Sequence, residues 1–310
     1  MNYLNKLLIL LFVIVICSCS KDDDNQKYVS AHIMPTFVTS LHPVDEEGQS
    51  YNVANNVIQG IASFEDGWFV AQTSGNSVLL LNYLNAYGES LFRKRIYVDS
   101  HGQDLSVEVI SENELYLYTT IGAFGENRNT GILKLKVLLS SIVNDQRDWS
   151  STSITVENQF DLNYSNSTPA LNEDKSQFAI RSANTIYVHN KTNVESLNFN
   201  PQYNFQLHPE QLSDNGNYSM FFQGIAMKDN NVFCLAGNEK IGTHKNIFVY
   251  NQNGLVTDKF TFDRNDLSQN FYDKFEPEAL TFKNDEIYFS IMTKSEVTTG
   301  NIKYLYKINL

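Results

Sequence analysis

The polar side chains that could do chemistry in this chain stand at the heads of a repeated pattern. The heads carry amides, carboxylates and one imidazole: Gln59, His101, Gln103, Gln223, Glu276 and Glu278. A second set follows the later apolar runs of the repeats: Gln72, Arg181 and His244. Such a mixture of donors and acceptors suits the hydroxyl groups of a sugar or polyol. We therefore treat all nine residues as candidate ligand-binding residues.

Acidic residues at the heads are also compatible with catalysis. Asp104, Glu276 and Glu278 are the candidates, because glycoside hydrolases use paired carboxylates as acid and as base or nucleophile. A full set would place acids at three inner positions, but amides and Pro169 occupy the others. The sequence therefore favours binding over hydrolysis. A structural role also stays open, since amides at strand starts often satisfy backbone groups of a neighbouring element.

The heads recur because the chain repeats one unit. The stretch NVIQGIASFEDGWFVAQTSGN at residues 56–76 returns as FQGIAMKDNNVFCLAGN from Phe222 and as EPEALTFKNDEIYFSIMTK from Glu276. Weaker copies begin at His101 and Thr168. Each strong copy holds an apolar run, a polar turn and a second apolar run, the pattern of a tight β-hairpin. A unit repeated five times is typical of a propeller or a solenoid.

The spacing of the heads favours a propeller with five blades. Positions 59, 103, 169, 223 and 278 are 44, 66, 54 and 55 residues apart. A four-stranded blade needs roughly 40 to 50 residues, so the intervals fit blades with insertions. Beyond the N-terminus, no stretch sustains the apolar spacing of a helix. We predict an all-β, five-bladed β-propeller over residues 28–310.

Three local features are predicted within that fold. The last blade ends one strand short, so we expect the strand at Thr36–Ser40 to pair with residues 303–310 and close the ring. Residues 138–149 are a candidate for a short amphipathic helix in blade two. Residues 201–218 have the composition of a long polar insertion before blade four.

The N-terminus has the pattern of a secretion signal. Lys6 precedes an apolar stretch at residues 7–16, which is too short to span a bilayer comfortably. Cys19 follows a small residue at −1 and an aliphatic residue at −3, and so resembles the lipobox cysteine of bacterial lipoproteins. The resemblance implies cleavage before Cys19 and a lipid anchor on it. We predict a signal peptide at 1–18 and an acylated, acidic tether at 19–27.

The acidic residues after Cys19 indicate a location. The stretch SKDDD at 20–24 resembles the export signal that sends lipoproteins of Bacteroidota to the outer face of the outer membrane. This resemblance implies an outer-membrane protein, lipid-anchored and facing the extracellular side. An ordinary secretory signal or an uncleaved anchor is the alternative.

Charge and cysteine content exclude several classes. The formal net charge of −12 argues against nucleic acid or an anionic membrane surface as partner. Three cysteines cannot build a disulfide framework; two lie in the targeting signal, and Cys234 has the setting of a small core residue. None of the common metal, thiol, serine or nucleotide motifs occurs, so we expect no cofactor and no metal site.

Short motifs link the repeats to a known family. The triplet QGI at 59–61, SHGQDL at 100–105 and EPEAL at 276–280 resemble a family of five-bladed propellers. It contains helveticin J, the teichoic acid biosynthesis protein C group and a receptor-binding protein of a staphylococcal phage. The resemblance covers residues 57–310 and departs from the pattern at Ala279, where glycine is expected, and in blade three. It implies the propeller fold and, from the phage protein, binding to a cell-wall glycopolymer.

These observations predict a non-catalytic surface protein that binds a glycan or another envelope component. The first alternative, implied by the resemblance to helveticin J, is a bacteriocin-like antagonism factor. A lipid anchor argues against it, because an anchored toxin would stay on its producer. Glycoside hydrolysis is the further alternative.

Overall fold

The computed structural model describes residues 28–49, 56–73, 78–122, 131–143, 146–165, 167–208, 222–294 and 300–308. The predicted signal peptide and tether lie outside these ranges. Within them the chain is dominated by β-strands, and two short strands, β1 (Val29–His32) and β2 (Thr36–Ser40), come first. In the described part of the chain, no helix is both long and apolar enough to cross a membrane.

Blades one and two follow the predicted order. Blade one consists of β3 (Ile58–Phe64), β4 (Gly67–Thr73), β5 (Leu79–Leu84) and β6 (Ser90–Ile96). Blade two consists of β7 (Ser106–Ser111), β8 (Glu114–Ile121), β9 (Gly131–Leu138) and, after the small hairpin β10 (Ile142–Val143) and β11 (Gln146–Arg147), β12 (Ser153–Asp161). Both are antiparallel sheets that run from an inner to an outer strand.

Three further blades complete the ring. Blade three consists of β13 (Thr168–Leu171), β14 (Gln177–Ser182), β15 (Thr185–Asn190) and β16 (Tyr203–Gln206), with a short helix α1 (Lys191–Glu195) before β16. Blade four holds β17 (Phe222–Lys228), β18 (Asn231–Ala236), β19 (Lys245–Tyr250) and β20 (Val256–Phe262). Blade five holds β21 (Tyr272–Lys283), β22 (Glu286–Lys294) and β23 (Asn301–Ile308). The predicted five-bladed propeller is confirmed.

The N-terminal strands complete the last two blades. β2 pairs antiparallel with β23, with Thr36 opposite Lys307 and Ser40 opposite Tyr304, and is the fourth strand of blade five. The predicted closure of the ring is confirmed. β1 pairs in parallel with β20 and adds a fifth strand to blade four. Its sequence, VSAH, is mostly exposed and carries no hydrophobic signal from which a strand could be predicted.

Two local predictions are wrong. The described part of residues 138–149 contains the hairpin of β10 and β11 rather than a helix. Trp149 stacks on Tyr83 with ring centroids 3.9 Å apart, so burial of its indole ring against blade one holds this segment. The expected insertion at 201–218 contains strand β16, in which Phe205 is buried opposite Ile186. Residues 209–218 of that insertion lie outside the described residues.

The hydrophobic core lies between the blades. In β4, Phe69 packs with Leu117 of blade two, whereas Val70 and Trp68 pack with Tyr288 of blade five. Alternate residues of a strand point to opposite faces, and each face of a blade meets a neighbouring blade. This arrangement explains why the strands are apolar on both faces and why the alternation of apolar and polar residues along them is weak.

The inner strands converge around the central axis. We call the end where they begin the head end, and the end that carries the turns between first and second strands the hairpin end. Glu65 and Asp66 of blade one and Asn284 and Asp285 of blade five form such turns. The predicted head residues before or within β3, β7, β17 and β21 are thereby brought to one end of the axis.

Candidate functional site at the head end of the axis

The inner strands approach one another so closely that their backbones form hydrogen bonds. The N–H of Asp104 donates to the carbonyl of Gln59 over 2.8 Å. A Cβ on Gly60 would lie 2.7 Å from the backbone of Asp104, and one on Gly224 would lie 2.9 Å from the nitrogen of Leu280. Glycine is therefore required next to the head glutamines by the packing of blade against blade.

Asp104 carries a buried carboxyl group into the axis. Its Oδ2 accepts a 2.6 Å hydrogen bond from the N–H of Ile225 on blade four. Burial raises the pKa of Asp104 well above its usual value, and the backbone N–H groups of Ile225 and Leu280 act in the opposite direction. Asp104 thus joins blade two to blades four and five.

The head amides extend these connections. The Nε2 of Gln103 donates to the carbonyl of Gln223 over 2.9 Å. Gln223 in turn donates to the carbonyl of Gly237 over 3.1 Å and to Glu276 Oε1 over 3.4 Å. Gln103 stays partly exposed, whereas Gln223 is buried. These bonds link blades two, four and five through side chains.

Two further amides of the predicted set belong to blade one. Gln59 is buried at the start of β3, and Gln72, opposite Ile58, is fully buried. Gln72 donates to the carbonyl of Asn56 over 3.2 Å, and its Oε1 has no hydrogen-bond partner among the described residues. Neither amide contributes an exposed surface at this end.

Glu276 and Glu278 form a carboxyl pair beside two lysines. Glu276 makes an ion pair with Lys274, whose Nζ also lies 3.7 Å from Glu239 Oε2. Burial raises the pKa of Glu278 well above its usual value, and the charge of Glu276 and a hydrogen bond with it act in the same direction. Burial lowers the pKa of Lys303 to about 8, although the charge of Glu278 opposes that change. The pair therefore favours a proton on Glu278.

His101, Arg181 and His244 occupy three different settings. Burial lowers the pKa of His101 to about 4, which makes its imidazole neutral at pH 7. The Arg181 guanidinium lies 4.6 Å from the ring centroid of Phe222, at the boundary of blades three and four, and burial lowers its pKa to about 10. His244 is exposed, with Nδ1 3.8 Å from Oδ2 of Asp263, and stands apart from the axial group.

The match to a protein family agrees with this architecture. The profile of the phage 5-bladed beta propeller receptor binding platform domain matches residues 60–300. The chain belongs to this family. The resemblance predicted from the head motifs is therefore confirmed, and membership of a receptor-binding family supports a binding function.

The solved structures to which this chain is similar include a phage protein and several glycoside hydrolases. The tail fibre of Staphylococcus aureus phage P68 is 19% identical, with a TM-score of 0.60 over 88% of this chain and 52% of the fibre. The chain thus spans about half the length of that tail fibre. A GH43 endo-arabinanase from Bacillus licheniformis is 12% identical, with a TM-score of 0.43 over 92% of this chain and 97% of the enzyme. These likenesses concern the fold alone, and no curated protein matches the chain significantly.

The structure brings together only part of the predicted site. Gln103, Gln223, Glu276 and Glu278 meet near the axis, whereas His244 does not join them. Lys274 and Lys303 belong to the same group but were absent from the prediction. Side chains two residues apart on a strand point to the same face, so the sequence could have placed Lys274 beside Glu276. No local pattern indicates Lys303. The assignment of these residues to ligand binding stays a prediction.

The axis of the propeller also contains a cavity of about 480 Å³ that the sequence analysis did not predict. It lies at the hairpin end, among the ends of the inner strands. Its walls include the apolar side chains of Val107 and Met227 and the charged side chains of Lys175 and Lys283. Burial lowers the pKa of both lysines.

Proposed function

We propose that this receptor-binding propeller holds a glycan or another polymer of the cell envelope without cleaving it. The observation that carries the proposal is the group of Gln103, Gln223, Lys274 and Glu276, which are bonded to one another across blades. Amide, carboxylate and ammonium groups fixed in this way can hydrogen-bond sugar hydroxyls with little loss of side-chain freedom.

The setting of the carboxyl groups supports binding rather than hydrolysis. A glycoside hydrolase needs two carboxyl groups that face the scissile bond from either side. Asp104 is 1% exposed and Glu278 is 3% exposed, and Oδ2 of Asp104 already accepts the N–H of Ile225. Glu276 is held by Lys274 and Gln223. Asp104 and Glu276 thus have internal partners, and Glu278 is buried.

The proposed location rests on the N-terminal sequence. Cys19 would carry the lipid, and the acidic tether would direct the propeller to the outer face of the outer membrane. Cys19→Ala should abolish incorporation of labelled fatty acid. Replacing Asp22, Asp23 and Asp24 by alanine should keep the lipid but turn the protein inward. If the triple variant stays accessible to protease added to whole cells, the export signal is wrongly assigned.

Binding is tested with the purified full-length protein on an array of bacterial envelope glycans and polymers. Gln103→Ala and Glu276→Gln should each weaken retention, because one lost hydrogen bond costs about 0.5–3 kcal/mol, or roughly two- to hundredfold in affinity. The control is Glu112→Gln, in an exposed turn at the hairpin end, which should bind like the parent protein. Release of shortened products would contradict the non-catalytic proposal. Equal binding by all variants would move the site away from the head end.

A further inference from the structure

Three titratable side chains converge at the edge of blade four, outside the axial group, and a fourth, His244, lies next to one of them. Single ligand atoms of His32, Asp263 and Asp266 all lie within 4.8 Å of one another. His32 Nε2 is 2.8 Å from Asp266 Oδ1, and His244 Nδ1 is 3.8 Å from Asp263 Oδ2. We propose that these four residues bind one divalent transition-metal ion of the Zn²⁺ class, which joins strand β1 to blade four.

Sheet register explains why the residues meet. Lys245 of β19 is opposite Phe262 of β20, at the end of the ladder. Continuing this register by one residue places His244 opposite Asp263. His32 of β1 is opposite Thr261 on the other side of β20. Residues opposite each other share a face of the sheet, as do residues two apart on one strand. The register therefore directs His32, His244 and Asp263 to one face.

The local turn orients both carboxylates. Asp263 Oδ1 accepts the N–H of Asn265 over 2.7 Å, and Asp266 Oδ2 accepts the N–H of Asp263 over 2.6 Å. The second bond belongs to the capping box of a short 3-10 helix, in which the Asp263 side chain also accepts the backbone N–H of Asp266. The remaining oxygen of each carboxylate then faces a histidine. Hydrogen bonds that fix ligand orientation in this manner are a regular feature of metal sites.

The donor set selects the class of ion. Two imidazole nitrogens and two carboxylate oxygens match the ligands and the coordination number that Zn²⁺ takes in proteins. Ca²⁺ and Mg²⁺ prefer sites built from oxygen alone.

The test is a calorimetric titration of the chelator-treated full-length protein with Zn²⁺, with Mg²⁺ as the comparison ion. We expect saturable binding of one Zn²⁺ per chain that His244→Ala and His32→Gln each weaken at least tenfold. The control is His42→Ala, an exposed histidine outside the cluster, which should leave the affinity unchanged. A site that survives His244→Ala with unchanged affinity would overturn the proposal.

A second measurement reports on the junction between β1 and blade four. Amide hydrogen exchange in residues 29–32 should slow when Zn²⁺ is added to the parent protein, because His32 would be held by ligands from blade four. The same ion should leave the exchange unchanged in His244→Ala, a substitution outside the β1 ladder. No effect of Zn²⁺ on the parent protein, or the same effect in both proteins, would overturn the proposal.

Discussion

The carboxylate of Asp104 accepts a 2.6 Å hydrogen bond from the backbone N–H of Ile225, which crosses from blade two to blade four. The residue adopts a left-handed conformation, with φ at 50°, and its own N–H donates to Gln59 of blade one. One residue therefore connects three blades that are not all neighbours in the ring. We conclude that the axis at the head end is held by specific polar contacts as well as by packing.

Two substitutions of Asp104 should separate the contribution of its hydrogen bond to stability from the contribution of its charge. Asp104→Asn keeps an acceptor for Ile225 and suits the left-handed conformation, so we expect a loss of less than about 1.5 kcal/mol in the free energy of unfolding. Asp104→Ala leaves a buried N–H without an acceptor and should cost about 2–4 kcal/mol. Urea denaturation measures both values. Equal losses would show that the acceptor contributes nothing.

Closure of the ring depends on the side chains of β2. Phe37 contacts Tyr304 and Tyr306, with ring centroids 6.0 and 5.8 Å apart. Phe37→Ala should lower the free energy of unfolding by about 2–4 kcal/mol, because it removes a partly buried ring at this junction. The control is Val29→Ala on β1, the strand that precedes β2 in the chain. Val29 is 66% exposed, so this substitution should cost less than about 0.5 kcal/mol.

Deletion of residues 28–41 extends this test to both N-terminal strands. It should expose the edges of β20 and β23 and cause aggregation or a much lower melting temperature. A shortened protein that melts with the parent would contradict a role of the N-terminal strands in closure.

Gly88 should tolerate no side chain. Its φ is 80°, and a Cβ there would lie 1.8 Å from the carbonyl oxygen of Ser40, where β2 ends against blade one. Gly88→Ala should therefore cost roughly 2–4 kcal/mol in stability. Gly242→Ala is the matched control, because a Cβ at Gly242 meets nothing within 4 Å. Thermal unfolding of the two variants checks the difference, and similar melting temperatures would contradict it.

Glu278 should make stability depend on pH. Its pKa in the folded protein is raised above the usual 4.5, so the stability it contributes is complete below about pH 4.5 and is lost as the pH rises through the folded pKa. Glu278→Gln resembles the protonated acid and cannot titrate. The parent should therefore lose stability relative to the variant above pH 4.5, by at most about 1.4 kcal/mol per pH unit.

Urea denaturation at several pH values measures this difference. Glu278→Ala should share the flatter profile of Glu278→Gln but be less stable at every pH, because it leaves a cavity. Parallel profiles for the parent protein and Glu278→Gln would refute the shifted pKa.

The sequence predicted those strands that contribute repeated hydrophobic runs. β3, β4, β17, β18 and β22 have such runs next to turn residues, and all five lie within the three strong copies of the repeat. β1 has mostly exposed residues, and β16 is a short strand in a polar stretch, so neither has a periodic signal. The segment before β12 was misjudged because Trp149 packs against Tyr83, a contact that no local pattern encodes.

The sequence predicted where the candidate site lies but not the hydrogen bonds among its residues. Repeat alignment located Gln103, Gln223 and Glu276 at one end of the axis, because equivalent positions in a propeller lie at equivalent heights. It could not show that these residues form hydrogen bonds with one another, because the distances between residues of different blades depend on the radius of the ring. His244 precedes β19 and lies at the same end of blade four, but sheet register places it beside Asp263 next to the outer strand β20 rather than at the axis.

The pairing of β2 with β23 has a consequence for the order of folding. Ser40 and Tyr304 are opposite each other although 264 residues separate them in the chain. On the ribosome, β2 is therefore made long before its partner β23. Blades one to four can form their own sheets earlier, but blade five cannot be completed until β23 has been synthesised. Contacts between such distant segments slow folding, so we expect closure of the ring to be the late step.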